Sequence, residues 1–88
     1  MKNGDKQPGK SIHFEEAFRC YLTKTEIRVV KLINEGLSGS EIADRLGNKR
    51  STVFTHRKNI KRKLNLKGNR SLERWCRTYA GKIRDYSY

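Results

Sequence analysis

The stretch SGSEIADRLGNKRSTVFTHRKNIKRKL, residues 38–64, holds two helical patterns separated by a glycine and an asparagine. Ser38-Gly39-Ser40-Glu41 matches the capping box, in which a hydroxyl and a carboxylate three residues apart satisfy the orphan amides of a helix start. Ile42, Ala43 and Leu46 then fall on one side of a short helix that ends at Gly47-Asn48. After that turn, at about 100° per residue, Val53, Ile60 and Leu64 form a narrow apolar stripe while Ser51, Thr55, Lys58 and Arg62 gather opposite. Residues 50–64 carry six Lys or Arg and no Asp or Glu. A helix face that is merely solvated usually mixes signs to form i, i+4 pairs, so this one points to an anionic partner. A short helix, a tight turn and a second helix with a cationic face make the helix-turn-helix arrangement, whose second helix lies in the DNA major groove.

Working outward, Thr23-Lys24-Thr25-Glu26 is a second capping box. It opens a helix that runs to about Glu35, stops at Gly36 and brings Leu22, Val29, Val30 and Ile33 to one side, with Ile27 about 120° from that direction as a candidate contact. Further upstream, Phe14, Ala17, Phe18 and Tyr21 recur at helical spacing and predict a short amphipathic helix that docks on the chain's own core or on a second subunit. Residues 1–11 hold almost nothing to bury, so residues 1–19 read as a flexible basic tail carrying that short helix, and residues 20–88 as the domain. Downstream, one helix from about Asn69 to Arg84 sets Leu72, Trp75, Cys76, Tyr79 and Ile83 on a stripe. A small domain can hardly bury Trp75, Tyr79 and Ile83 together, which assigns Leu72, Trp75, Tyr79 and Ile83 to a homodimer contact.

Composition narrows the function. Eighty-eight residues make a single small domain and exclude a multi-domain enzyme. Twenty-one Lys plus Arg against nine Asp plus Glu give a net charge of +12, which calls for a polyanionic partner, double-stranded DNA above all. A membrane surface would require a broad apolar helix face that the sequence lacks, and no signal peptide or spanning run is visible, so a cytoplasmic, nucleoid-associated protein is expected. Cys20 and Cys76 stand in no metal-ligand spacing with His13 or His56 and read as reduced thiols. Neither histidine has a Ser, Cys or carboxylate at catalytic motif spacing, so no enzyme, metal or cofactor is expected.

Residues 22–80 resemble the LuxR/FixJ-type (GerE-like) DNA-binding domain of bacterial transcription regulators. The matching features are Leu22-Thr23, Glu26, Val29, the Gly36-Leu37-Ser38 turn, Glu41-Ile42-Ala43, Leu46, Thr52-Val53, His56, Ile60 and Lys63-Leu64. The spacing holds across three helices and two turns without a gap. The resemblance implies an all-α, compact four-helix bundle containing a helix-turn-helix, whose third helix (about 50–64) reads the major groove and whose fourth mediates dimerisation. The sensor domain that commonly accompanies this module does not fit in 88 residues, so a stand-alone regulator or a fragment of a longer one is implied. Asn48 and Lys49 depart from the family's apolar-Ser pair, with Asn48 a candidate cap, and Asn69-Arg70 falls one place later than the family's Asn-Arg.

Carried over by position, the resemblance places Ser51, Phe54, Thr55 and Lys58 against the bases. Lys can donate to guanine O6 and N7, and Thr and Phe can touch a thymine methyl. Phe54 is equally readable as packing against a neighbouring helix. Gly39, Ser40, Thr52, His56, Arg57, Lys61 and Arg62 fall to the phosphates, Gly39 and Ser40 through a helix N-terminus and Arg57 with its stem over apolar surface. Two other readings stay open: a protein-binding antagonist that pairs with a full-length LuxR-type regulator, and a sigma-factor-like module bound to RNA polymerase.

Overall fold

The computed structural model describes residues 11–87; most of the tail expected over residues 1–11 lies outside them. The described residues are helical, with no strand among them. α1 (Phe14–Glu16) widens into a π-helical turn (Ala17–Tyr21), and α2 (Lys24–Asn34), α3 (Gly39–Leu46), α4 (Arg50–Lys63), α5 (Ser71–Thr78) and α6 (Ala80–Asp85) follow. Both capping boxes form: Thr23 and Glu26 exchange hydrogen bonds at the start of α2, and Ser38 and Glu41 do so at the start of α3. Gly36 (φ 92°) and Gly47 (φ 71°) end α2 and α3 in left-handed backbone, where a side chain would be strained. The cap of α4 differs from the expectation for Asn48. Lys49 occupies the N-cap position and makes no side-chain cap, so the first turn of the longest helix keeps amides without a local side-chain acceptor.

α2 lies at the centre, packed against α3, α4, α5 and α6, and α3 packs on α4. Ile42, Ile60, Leu64, Leu72, Ile83, Val29, Val30 and Val53 are fully buried between them. Each such side chain stabilises the fold by roughly 1.5–3 kcal/mol of apolar transfer. Glu26 is buried too, and its carboxylate accepts from Lys63 Nζ at 2.7 Å, tying the end of α4 to the start of α2.

The single helix expected from Asn69 to Arg84 is two helices. The chain departs from helical geometry at Tyr79 (φ −114°, ψ 26°), immediately before Ala80-Gly81, a pair in which glycine weakens helical continuity. α2 grips the re-aimed segment. Asn34 Nδ2 donates to the Ala80 carbonyl (3.1 Å), and Lys31 Nζ donates to the carbonyls of Ile83, Arg84 and Tyr86 at 3.0, 3.3 and 2.6 Å, satisfying carbonyls at the end of α6.

The N-terminal helix corrects the assignment of a dimer surface. Phe14, Ala17 and Phe18 are buried, with Phe14 against Tyr79 and Tyr86, and Phe18 stacked on Trp75 at 6.5 Å. Trp75 Nε1 donates to the Ile12 carbonyl (2.8 Å), and Lys82 pairs with Glu15 (2.6 Å). Leu72, Trp75 and Ile83 are consequently core residues, with no free face for a second subunit, and Tyr79 is half-buried. Of the two dockings expected for the N-terminal helix, the one on the chain's own core is found, and it supplies the cover that lets so small a domain bury them. Ile27 is likewise buried (4% exposed) and is not a surface contact.

Candidate nucleic-acid interface

Two elements build the candidate interface. α4 turns Val53, Ile60 and the following Leu64 inward, and the same periodicity leaves Ser51, Phe54, Thr55, Lys58 and Arg62 exposed. The four positions assigned to base reading therefore share one outward face. Phe54 is 64% exposed, far more than a core aromatic, which removes the reading in which it packs against a neighbouring helix. Thr55 Oγ1 donates to the Ser51 carbonyl (3.1 Å), so its hydroxyl proton is used within the helix and its methyl lies beside Phe54 in sequence. Lys58 stands one turn further on.

α3 meets the start of α4 at a groove of about 580 Å³ lined by Ser38, Gly39, Ser40, Arg50, Ser51, Phe54 and Arg57, among others. Gly39 and Ser40 thus stand at a helix N-terminus, whose amides favour anions, in a groove that Arg50, Arg57 and Glu73 also line. The structure brings these phosphate candidates together with the base-reading face. Thr52 and His56 sit apart, half-buried on the flanks of α4, and line none of the depressions around that face described here. Lys61 is half-buried, its ammonium donating to the Gly68 carbonyl (3.0 Å), and Arg62 is exposed, with Nη2 donating to Asn59 Oδ1 (3.3 Å).

Arg57 is held by a residue that the sequence reading passed over. Its guanidinium forms an ion pair with Glu73 of α5. Partial burial alone would raise the Glu73 carboxyl, but its own backbone amide and Arg57, with the charge of Arg70 nearby, hold it below the usual carboxylate range. A signal was present: Glu73 is the only acid between Asp44 and Asp85, and a lone carboxylate in so cationic a tract must find a cation. Arg50 was missed because nothing in the helical wheel distinguishes an outward arginine from a solvated one; its place in the α3–α4 groove does.

Among the described residues, no group of His, Cys, Asp and Glu could hold a metal ion, and no helix is long and apolar enough to cross a membrane. Cys76 is buried, and burial first, then the charge of Glu73, pushes its thiol up to about 12, so it behaves as a small hydrophobe; Cys20 is exposed.

No curated protein and no solved structure matches the chain. A family model does: bacterial regulatory proteins, luxR family, over residues 21–76, a span that begins just before α2 and ends within α5. It covers more than half of the 88 residues and contains both helices of the turn motif. Capping boxes, turn and outward cationic face are thus the parts of a helix-turn-helix DNA-binding domain, and the chain belongs to the luxR family of bacterial regulatory proteins.

Proposed function

We propose that this protein is a cytoplasmic, sequence-specific transcription regulator that inserts α4 into the DNA major groove. One observation carries the reading: the exposed face of α4 combines Ser51, Phe54, Thr55 and Lys58 with Arg62 and no carboxylate on the helix, beside the α3 N-terminus. A helix with its side chains is about 10–12 Å across, close to the ~12 Å width of the major groove. Lys58 donates to guanine, while Phe54 and the Thr55 methyl meet thymine. Gly39 and Ser40, with Lys61 and Arg62, anchor the phosphates, Arg57 reaches them only by sharing its guanidinium with Glu73, and Thr52 and His56 approach the backbone only from the flanks.

Two copies occupy adjacent half-sites about one DNA turn apart. Because Leu72, Trp75 and Ile83 are buried within each copy, DNA itself supplies most of the pairing and the free protein is a monomer. Titration of promoter-enriched against random duplexes at several salt concentrations, with a size measurement of the free chain, tests the reading. If about six phosphates are neutralised per subunit, log affinity falls with log salt at a slope of roughly −5. A slope near zero removes DNA as the partner, and indifference to sequence removes base reading.

A further inference from the structure

The corner between α4 and α5 holds an arginine in left-handed backbone. Arg70, the residue before α5, has φ 62° and ψ 17°. Among the described residues only one other non-glycine has positive φ, Asn65, and asparagine tolerates that region where arginine is disfavoured. The corner around it is anchored by other groups: Lys61 Nζ donates to the Gly68 carbonyl (3.0 Å) and Arg74 Nη1 to that of Asn69 (3.3 Å). The Arg70 side chain lends this packing only its charge, which helps to hold the Glu73 carboxyl low. It is exposed, and its guanidinium donates no hydrogen bond among the described residues.

Its position is informative. Arg70 lines, with Phe54, Lys58 and Lys61, a depression of about 260 Å³ against the outward face of α4. The carboxylate in that depression, Glu73, is ion-paired with Arg57 and feels the charge of Arg70 without pairing with it, so two arginines face one acid there beside Lys58 and Lys61. A helix fills most of the width of a major groove, so a cation carried beside the groove helix on the next element meets the groove wall, which is phosphate. We propose that Arg70 is a DNA phosphate contact, continuing the line of Lys58 and Lys61 onto the α4–α5 corner. This rests on the major-groove reading of α4.

The experiment compares the intact chain with Arg70→Gly and Arg70→Asn, both of which accept left-handed backbone, and with Arg77→Ala, an exposed arginine of α5 that does not line the depression. Removing one phosphate contact lowers the salt slope by about 0.9, equivalent to about a fivefold loss of affinity at ~0.15 M salt. The expected result is that loss in both Arg70 variants, equally on promoter and random duplexes, with circular dichroism unchanged, a melting temperature no lower for Arg70→Gly, and Arg77→Ala binding as the intact chain does. If the Arg70 variants keep the full slope while the intact chain binds DNA, the Arg70 contact is overturned and the α4 reading stands. If the intact chain shows no salt-dependent binding, both are overturned.

Discussion

Phe54 on α4 and Phe18 on the N-terminal helix are both aromatic residues on short-period amphipathic patterns next to cationic neighbours, yet Phe54 is 64% exposed and Phe18 is 5% exposed. Phe54 stays outside because α4 already turns Val53 and Ile60 inward, leaving its other face without a protein partner. Phe18 goes inside because Trp75, Tyr79 and Tyr86 leave an aromatic surface that needs a cover, and the segment beginning at Ile12 reaches it. An apolar residue on a helical wheel thus shows which face it marks, while its fate depends on what the rest of the chain brings to that face. One region is an interface by default of cover and the other a core by arrival of cover.

The sharpest way to break this contrast is to truncate both rings. Phe18→Ala opens a cavity in the aromatic cluster and should cost about 3–5 kcal/mol, a large part of the stability of so small a domain. Phe54→Ala should change stability by less than about 0.5 kcal/mol, because the ring leaves no cavity behind. Equal losses in chemical denaturation would mean that α4's outer face is packed rather than free. Tyr79→Asp tests the same cover from the other side. Tyr79 lies 4.9 Å from Trp75 and its hydroxyl reaches His13 Nδ1 at 3.3 Å, so a carboxylate there should destabilise the fold by about 2–3 kcal/mol. An unchanged melting curve for Tyr79→Asp would show that the N-terminal helix does not hold this surface closed.

On the exposed side of the comparison, Lys58 and Lys61 lie nearly one helical turn apart but differ in exposure. Lys58→Ala should cost about 1–3 kcal/mol at a preferred site and relax its sequence preference, whereas Lys61→Ala should weaken all duplexes alike. A Lys58→Ala variant that loses equally on preferred and random DNA would reassign Lys58 to the backbone.

The same contrast explains what was legible in the sequence. Thr23 to Glu26 and Ser38 to Glu41 are local exchanges over three residues, and Gly47 answers to its own backbone angle, so α2, α3 and the turn could be placed from neighbours alone, whereas α4 starts after Lys49 with no side-chain cap to mark it. The outward set of α4 followed from its period. The break at Tyr79 did not, because Lys31 and Asn34, more than forty residues away, supply the hydrogen bonds that fix α6. Leu72, Trp75 and Ile83 were misplaced for the same reason: the stripe was visible, and the Phe14 and Phe18 helix was expected on the core or on a second subunit, but nothing local says that it lands on this stripe. Arg57 was read as reaching for phosphate, but whether a guanidinium is free depends on Glu73 arriving from another helix.

The smallest effect concerns Glu26, where local and long-range contacts meet on one carboxylate. Its oxygen accepts from the Thr23 amide within the capping box and from Lys63 at the far end of α4. Burial alone would raise its pKa, but the Lys63 ammonium and the Thr23 amide together outweigh burial and hold it below the usual carboxylate value. A folded-state value below the unfolded one means that the charged form stabilises the fold. That contribution is complete above the unfolded carboxyl value of about 4.3 and disappears as the pH falls through the lower folded value. Glu26→Gln keeps an oxygen for the Thr23 amide and loses the ion pair with Lys63, so it should cost about 1 kcal/mol at neutral pH. Glu15, Glu41 and Glu73 are also held low, and wild type and variant share them, so the difference between the two stability curves isolates Glu26. That difference should stay constant from pH 7 down to about 5 and shrink as the pH falls further through the lower folded value, below which Glu26 is protonated in both states. A gap that persists unchanged in acid would mean that the glutamate stabilises α2 through its shape and local cap, and that the tie to Lys63 across the core adds nothing.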